Sequence, residues 1–362
     1  MAGPLAGYTI VEMAGLGPGP FAAMMLADHG ATVIRVERAG MIGVPNDPLL
    51  RGRRSISLDL RRVEGREVVR RLAATADGLV EGYRPGVMER LGLGPDELLR
   101  DNPKLVYGRV TGWGQDGPLS GTAGHDLNYV AITGVLHGIG PKERPVVPGN
   151  YLGDYAGGGM MLAFGMTAAL LAVQCGGKGQ VVDAAMSDGA ALIGALTYGL
   201  RAANLWKDQR ESNLLDGGSE TYGIYRCSDG KFLAIGAIER QFQEALFKGL
   251  ALRPGSSRED IATVIRSRTR DEWAAHFAGT DACVAPVLDL EEAPLHPHNI
   301  ARRTFVDLDG VFQPAPAPRY SETHLDRPDP PRGEGQDGET ILTDIGYASP
   351  EIEALRSSGA LL

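Results

Sequence analysis

Four side chains that can carry a proton stand where a glycine-rich or β-rich run gives way to a helical one. His125 and Asp126 are adjacent in "SGTAGHDLNY", directly after a glycine. Asp154 lies in "NYLGDYAGGGMMLAFG" before an apolar helical run, and Glu239 lies in "FLAIGAIERQF". An imidazole and a carboxyl group can share a proton near neutral pH once their environments bring their pKa values together. These residue types therefore fit acid–base chemistry at a cleft.

Each of these residues also has a purely structural interpretation. A single histidine is more often a surface or hydrogen-bonded core residue than a catalyst. An aspartate at a strand-to-helix junction can cap the helix, which would account for Asp154, and Glu239 can favour its helix through the dipole. Residue by residue, spacing and composition favour these structural roles.

Length, charge and cysteine content limit the class of protein. The chain has 362 residues, enough for two domains, and 50 glycines that indicate many turns. Its net charge of −9 argues against a nucleic-acid-binding protein. The three cysteines show no disulfide or metal-ligand spacing, and the N-terminus lacks the pattern of a secretory signal. The longest apolar run, residues 160–173, is shorter than a bilayer requires. We therefore expect a cytoplasmic protein with no metal and no membrane partner.

The first third of the chain alternates strand-like and helix-like segments. Strands are predicted at residues 8–14, 32–37 and 55–60 and in "GLVEGY" and "LVYGRV", with helices at "FAAMMLADHG" and residues 63–77. This alternation predicts an α/β fold with a parallel, doubly wound sheet.

The turn "GLGPGP" after the first strand resembles a dinucleotide-binding loop only in part. Gly15 and Gly17 are present, but Pro20 takes the place of the third glycine, and Arg38 follows the acidic residue Glu37. A tight turn at the first crossover is therefore favoured over NAD binding. An arginine at the end of a strand suits a nucleotide phosphate.

Beyond residue 186 the pattern changes. "DGAALIGALTYGLRAANLW" predicts one long helix, and "YGIYRCSDGKFLAIGA" predicts a β-hairpin around "SDG". Helices are predicted in "ERQFQEALFKGL", "RDEWAAHFAGT" and "SPEIEALRSSGAL". Residues 312–335 are rich in proline and charge and predict an extended linker.

The ordered set of motifs resembles the family III coenzyme A transferases, and among them most closely the bacterial α-methylacyl-CoA racemases. The motifs that carry this resemblance span nearly the whole chain: "MAGPLAGYTIVEMAGLGPGPFAAMMLADHGA", "RRSISLDL", "EGYRPGVMERLGLG", "TGWGQDGPLSGTAGHDLNY", "GDYAGGG", "GKGQVVDAAMSDG" and "DACVAPVLDLEEAPLHPHNIARR".

The resemblance implies an α/β fold with a Rossmann-like large domain, a smaller α+β domain and an interlocked homodimer. The large domain would comprise residues 1–187 and about 330–362. A linker helix would occupy residues 188–221, the small domain residues 222–318, and an extended linker residues 319–329.

The resemblance also implies an acyl-CoA substrate, with coenzyme A bound as part of the thioester and no other cofactor required. The implied coenzyme positions are Arg38, Leu58, Asp59, Leu60, Arg61, Gly82, Tyr83, Arg84, Arg90, Gly124, His125, Asp126, Leu127, Asn128 and Tyr129. Arg61 stands where a relative has lysine, so the positive charge is kept.

In the racemases that the chain resembles, the histidine of "GHD" and the aspartate of "GD" are the two acid/base groups, which implies these roles for His125 and Asp154. The transferases commonly have an aromatic residue at the histidine position and use the aspartate as a nucleophile, so His125 favours the racemase. Glu239 would hydrogen-bond to Asp154 or His125, and Asp126 would support His125 or contact the coenzyme. The alternatives that remain open are a transferase, a non-catalytic acyl-CoA-binding protein and an NAD enzyme.

Racemisation of a 2-methylacyl thioester requires particular groups around the α-carbon. Inverting the α-carbon of a 2-methylacyl thioester needs a base on each face of a planar enolate, with one base free while the other is protonated. Burial near an apolar acyl pocket would raise the pKa of Asp154, whereas a helix N-terminus would lower it, and we expect burial to prevail. The glycine-rich "GDYAGGG" is expected to present backbone N–H groups to the enolate oxygen.

Overall fold

The computed structural model describes residues 3–40, 44 and 46–362 and divides into two compact units. The first unit comprises Met1–Thr133, Gly149–Ile193 and Arg303–Leu362, and the second comprises Gly134–Pro148 and Gly194–Arg302. A six-stranded parallel sheet in the first unit and a smaller antiparallel sheet in the second confirm the predicted mixed α/β class.

The parallel sheet has the strand order β3-β2-β1-β4-β5-β6. Its strands are β1 (Thr9–Met13), β2 (Thr32–Glu37), β3 (Arg53–Ser57), β4 (Gly78–Glu81), β5 (Val106–Thr111) and β6 (Val181–Ala185). This is the strand order of Rossmann folds, and it changes direction between β1 and β4. The sequence predicted five of these strands, and β6 joins them at the edge beside β5.

Helices cover both faces of this sheet, because a parallel sheet needs crossover connections that pack against it. The helices of the first unit are α1 (Pro18–Asp28), α2 (Val63–Thr75), α3 (Val87–Arg90), α4 (Pro95–Asp101), α5 (Asp126–Ala131), α6 (Met161–Gln174), α7 (Met186–Ile193), α13 (Gly338–Asp344) and α14 (Ser349–Ser357). On one face, side chains such as Val11 and Ile34 pack with α2, α4, α13 and α14. On the other, side chains such as Ile10 and Val106 pack with α1 and α6.

The apolar run at residues 160–173 belongs to a longer helix than the sequence indicated. A π-helical segment, Tyr151–Met160, continues directly into α6, so that the two form one helix of 24 residues. This helix is long enough and apolar enough to cross a membrane, but the core helix of a soluble protein can have the same length and composition. The expectation that the run is too short to span a bilayer is therefore wrong, because the helix continues towards the N-terminus through the glycine-rich segment.

A buried ion cluster lies under α1 and joins strands β1, β2 and β3. The Glu12 carboxylate is fully buried and accepts hydrogen bonds from Arg35 Nη1 at 2.7 Å and Arg53 Nε at 2.6 Å. Burial lowers the pKa of the Arg53 guanidinium, and the negative charge of Glu12 opposes this shift. Arg53 also donates to the carbonyl of Pro20, so the cluster ties three strands to the first turn of α1.

Glu12→Gln is expected to lower the free energy of unfolding by about 3–5 kcal/mol, because it leaves the buried Arg53 guanidinium without its counter-charge and leaves Arg35 with Glu37 alone as its ion-pair partner. Urea denaturation followed by circular dichroism measures this loss. Asp101→Asn is the matched control, since it breaks the partly exposed ion pair with Arg70 and is expected to cost less than about 1 kcal/mol. Equal losses in the two variants would contradict the proposed importance of the buried cluster.

The second unit is built on a three-stranded antiparallel sheet with the order β7-β8-β9. Its elements are β7 (Tyr222–Arg226), β8 (Phe232–Gly236), β9 (Val284–Pro286), α8 (Ala195–Ala202), α9 (Arg240–Gly249), α10 (Arg258–Ile265), α11 (Arg270–Phe277) and α12 (Pro297–Arg302). The hairpin predicted around "SDG" is confirmed by the antiparallel pairing of β7 with β8. Trp273 and Phe277 are among the buried side chains of its core.

The boundaries of the units differ from those implied by the resemblance. Residues 303–318, expected in the small domain, belong to the first unit, because the hairpin β10 (Phe305–Leu308) and β11 (Val311–Pro314) is bound to it by Arg51. Arg51 donates to the Gln313 side chain at 2.8 Å and to the Pro314 carbonyl at 2.7 Å. Strand β11 also occupies the start of the predicted linker at residues 312–335.

Residues 134–148, expected in the large domain, belong to the second unit. The Arg210 guanidinium holds this segment by donating to the carbonyls of His137 at 2.8 Å, Pro141 at 2.8 Å and Lys142 at 2.9 Å. The predicted long helix is broken at Gly194 into α7 and α8, which fall in different units. The predicted linker helix at residues 188–221 is therefore helical only in its first part.

Candidate active site

A cavity of about 320 Å³ lies at the carboxyl ends of the strands where the strand order reverses. This is the place where open parallel sheets bind their ligands. Its lining comes from the turns after β1, β4 and β5, from the loop before α5, and from Asp154 and Met186. His125 and Asp154, predicted as the two proton-transfer groups, therefore line one cavity.

Asp154 is placed by the π-helical segment, which packs on α1 and α7. A Cβ atom on Gly189 of α7 would lie 1.9 Å from the carbonyl oxygen of Gly157, so the two backbones touch directly. Gly157, Gly158 and Gly159 are buried in this helical contact. The expected glycine-rich turn is therefore a packed helix, and these glycines are not available to an enolate oxygen.

Asp126 supports Asp154 rather than His125. Its side chain is only 6% exposed, and its Oδ2 accepts hydrogen bonds from the backbone N–H groups of Gly153 at 2.6 Å and Asp154 at 2.7 Å. The carboxylate satisfies two N–H groups that the first turn of the helical segment leaves free. Asp126 thus fixes the backbone that carries Asp154, and its expected interaction with His125 is replaced by this one.

Burial raises the pKa of Asp154, and the negative charge of Asp126 adds to this effect. A hydrogen bond from the Asn150 amide at 3.2 Å and the charge of His125 act in the opposite direction. The net direction is the one expected from the sequence, because desolvation of the half-buried carboxyl prevails. A raised pKa lets Asp154 alternate between acid and base closer to neutral pH.

The raised pKa predicts a pH-dependent stability effect. The folded protein holds the Asp154 proton more tightly than the unfolded chain, so ionisation of this group lowers the free energy of unfolding as the pH rises. Asp154→Asn removes that penalty, and we expect the variant to gain stability relative to the parent protein between about pH 4 and pH 7. Thermal unfolding of both proteins across this range measures the difference. A difference that stays constant or narrows with rising pH would contradict the shift.

Gly17 lies directly against the Asp154 carboxylate. Its φ of +69° is a conformation that favours glycine, and a Cβ atom there would lie 3.3 Å from Asp154 Oδ2. The glycine turn that resembles a dinucleotide-binding loop thus forms the wall beside the carboxylate. Asn150 and Gly17 are contacts of the site that the sequence did not identify, although Asn150 lies four residues before Asp154, a spacing typical of side-chain contacts on one helix face.

His125 is the N-cap residue of α5, with an exposed side chain on the wall of the cavity. Its backbone N–H donates to Asn128 Oδ1 at 3.1 Å. The imidazole itself makes no hydrogen bond within the described part of the chain. It is therefore free to face a ligand in the cavity.

Glu239 is an exposed residue at the start of α9 in the second unit. Its backbone carbonyl accepts hydrogen bonds from the N–H groups of Phe242 and Gln243, both at 3.0 Å. Its interaction with Asp154 or His125 stays a prediction.

The implied coenzyme positions separate into two groups. Those that line the cavity are Gly82, Tyr83, Arg84, Gly124, His125 and Tyr129. The others follow the strand ends or lie on short helices: Arg38 after β2, Leu58, Asp59, Leu60 and Arg61 after β3, Arg90 at the end of α3, and Asp126, Leu127 and Asn128 on α5. Leu58 is a buried core side chain, so only its backbone could contact a coenzyme.

The Arg61 guanidinium is paired within the protein. It donates to Asp59 from both Nε and Nη2, each at 2.9 Å, and these bonds lower the pKa of Asp59 to about 2. By contrast, Arg38, Arg84 and Arg90 form no ion pair with any carboxylate that the structure describes. Burial raises the pKa of the Tyr83 hydroxyl, and the charge of Arg38 acts in the opposite direction.

A larger cavity of about 1120 Å³ lies elsewhere in the first unit, between the β10–β11 hairpin and residues 319–328. None of the predicted proton-transfer residues lines it. Within the described residues, no cluster of three or more histidine, cysteine, aspartate or glutamate side chains is arranged to hold a metal ion. The smaller cavity with His125 and Asp154 is therefore the candidate active site.

Comparison with known proteins agrees with the resemblance seen in the motifs. The model of CoA-transferase family III matches residues 5–337. The α-methylacyl-CoA racemases of Mus musculus and Homo sapiens are each 44% identical to this chain, over 98% of this chain and 96% of the relative. The crystal structure of a CaiB/BaiF family protein from Brucella suis superposes with a TM-score of 0.81 at 25% identity, covering 95% of this chain and 100% of that one. Both racemases are mammalian, so they do not support the narrower likeness to bacterial racemases.

Proposed function

The chain belongs to CoA-transferase family III, and on this premise we propose that it interconverts (2R)- and (2S)-2-methylacyl-CoA esters by 1,1-proton transfer. The observation that carries the proposal is that His125 and Asp154 line one cavity at the switch point of the sheet. The similarity to two α-methylacyl-CoA racemases supports the same activity, an isomerase reaction.

In the proposed reaction, one of the two groups takes the α-proton from one face of the thioester. The C–H electron pair passes into an enolate, whose charge collects on the thioester oxygen. The other group, already protonated, then gives its proton to the α-carbon from the opposite face. The product is the opposite enantiomer, and the two groups have exchanged protonation states. The raised pKa of Asp154 suits this alternation.

The start of α1 offers donors for the enolate oxygen. Gly17 and Gly19 line the cavity at this point, whereas their neighbours Pro18 and Pro20 have no N–H group. The Gly19 N–H belongs to the first turn of the helix and has no acceptor within it. The positive end of the helix dipole also favours the developing negative charge.

The coenzyme A moiety is proposed to bind across Arg38, Arg84 and Arg90, whose guanidinium groups are not neutralised by described carboxylates. Guanidinium groups recognise phosphate oxygens by paired hydrogen bonds. Met13 and Met186 give the same cavity apolar walls that suit an acyl chain.

We also propose that the protein is a homodimer. Large apolar side chains on α6 are exposed in the single chain, with Phe164 70% and Leu171 64% exposed. Exposed apolar residues on one helix are typical of a surface that another protein covers. Sedimentation velocity would show the mass of two chains, and a single-chain mass at micromolar concentration would contradict the proposal.

Incubation of one enantiomer of a 2-methylacyl-CoA ester in deuterated water tests the function. A racemase gives the opposite enantiomer together with deuterium at the α-carbon, because the proton passes through groups that exchange with solvent. A CoA transferase that uses Asp154 as a nucleophile would move CoA to an added free acid without α-deuterium uptake, and that result would overturn the proposal. An acyl-CoA-binding protein without activity would show neither reaction.

A further inference from the structure

Tyr129 lies on α5, one helical turn after His125 and Asp126. Its side chain is only 8% exposed, and its hydroxyl donates a hydrogen bond to the backbone carbonyl of Gly124, the residue directly before His125. The single hydroxyl proton of this tyrosine is thus used within the protein. The resemblance implied a contact with the coenzyme instead.

The Tyr129 ring is held in a pocket that only glycine residues allow. A Cβ atom on Gly112 would lie 2.0 Å from the ring, and one on Gly124 would lie 2.7 Å from it. Trp113 packs edge-to-face on the ring at 4.8 Å between centroids and an angle of 89°. The glycine-rich passage before His125 therefore makes room for one buried aromatic ring.

The same short helix connects both proton-transfer groups. His125 is its N-cap, Asp126 binds the backbone N–H groups of Gly153 and Asp154, and Tyr129 binds the carbonyl before His125. Tyr129 and Asp154 line the same cavity as His125. Burial raises the pKa of Tyr129, and the negative charge of Asp154 adds to this effect.

We infer that Tyr129 is a positioning residue for His125, which it holds in the orientation for proton transfer through the hydroxyl bond to Gly124. The inference rests on the proposed function. If the hydroxyl is removed, the hydrogen bond from Tyr129 to the Gly124 carbonyl is lost, and the loop that ends at His125 is held less firmly. The aromatic ring can still stay in its pocket. The imidazole then spends less time aligned with the α-carbon.

Tyr129→Phe removes the hydroxyl and keeps the ring. We expect kcat for racemisation to fall about tenfold, with KM for the acyl-CoA changed less than about twofold, because orientation of a catalytic group affects the reaction and not the binding of the coenzyme. A rise in KM with unchanged kcat would show a coenzyme contact and overturn the inference. Unchanged values of both constants would overturn it as well.

Tyr107→Phe is the matched control in the same unit. Tyr107 is a buried tyrosine on β5 whose hydroxyl donates to the carbonyl of Leu93 at 3.0 Å, and it does not line the cavity. This variant loses the same kind of bond, so it corrects for a general loss of stability. Its kcat is expected to stay at the level of the parent protein, and an equal fall in both variants would overturn the inference.

A second measurement does not depend on activity. Hydrogen–deuterium exchange followed by mass spectrometry should become faster for amides of residues 124–131 in Tyr129→Phe and not in Tyr107→Phe. If the parent protein shows no α-proton exchange, the proposed function fails, while this measurement still decides whether the hydroxyl holds the His125 segment. Unchanged exchange in Tyr129→Phe would overturn the positioning role by itself.

Discussion

His125→Gln is expected to slow inversion of 2-methylacyl-CoA about 10²- to 10⁴-fold, the usual contribution of a general acid or base. Glutamine has a similar size and can hydrogen-bond, but it cannot accept or release a proton in this pH range. The enolate can then be protonated only from the face of Asp154. One enantiomer should therefore still exchange its α-hydrogen with solvent, although it is no longer inverted.

Chiral separation of the product gives the inversion rate, and NMR of the α-hydrogen in deuterated water gives the exchange rate for each enantiomer. His298→Gln is the control, since His298 is an exposed residue of α12 outside the candidate cavity. Inversion at the parent rate in His125→Gln would remove this histidine from the mechanism. Equal exchange of both enantiomers would show that another group serves the second face.

Asp154→Asn is expected to reduce inversion by a similar factor, about 10²- to 10⁴-fold, with the opposite pattern of exchange. The enantiomer that still exchanges in His125→Gln should lose exchange here, while the other enantiomer keeps it through His125. The asparagine side chain fills the same space and keeps one oxygen for the hydrogen bond from Asn150. The loss would therefore report the missing proton carrier and not a collapse of the wall beside Gly17.

The complementary pattern of the two variants separates a racemase from a transferase. A nucleophilic Asp154 would be needed for CoA transfer, and Asp154→Asn would abolish that reaction without any enantiomer-specific exchange. Asp101→Asn, which changes an aspartate outside the cavity, should leave both rates unchanged. Loss of exchange for both enantiomers in Asp154→Asn would contradict the proposal of two bases on opposite faces.

The parallel sheet could be predicted from the sequence because its signals are local. A short apolar run such as residues 8–14, followed by a glycine turn and a helical segment, indicates both the strand and the crossover connection that follows it. The hairpin at "SDG" was predictable for the same reason. The long helix after residue 186 was predicted wrongly, because "ALIGALTYGL" is helical in composition, whereas the helix is interrupted at Gly194, where the chain passes from the first unit to the second.

The candidate site could be predicted only as a set of residues. His125 and Asp154 were named from motif resemblance, and the structure places both in one cavity. The role of Asp126 was not predictable, because its partners lie 27 and 28 residues away along the chain. The same holds for Glu12, an apparent interruption of an apolar strand whose partner Arg53 follows 41 residues later.

The sequence by itself determined the strand and helix pattern, the glycine turn after β1 and the residue types that can move a proton, because these depend on neighbours a few residues apart. The tertiary structure decided which of these groups share a cavity, how deeply Asp154 is buried and which donors and acceptors remain free. Burial and long-range hydrogen bonds set a carboxyl's pKa and orientation, and both arise only when distant segments pack together. For that reason the reacting residues could be proposed from the sequence, whereas the role of α5 in positioning them became evident only from the tertiary structure.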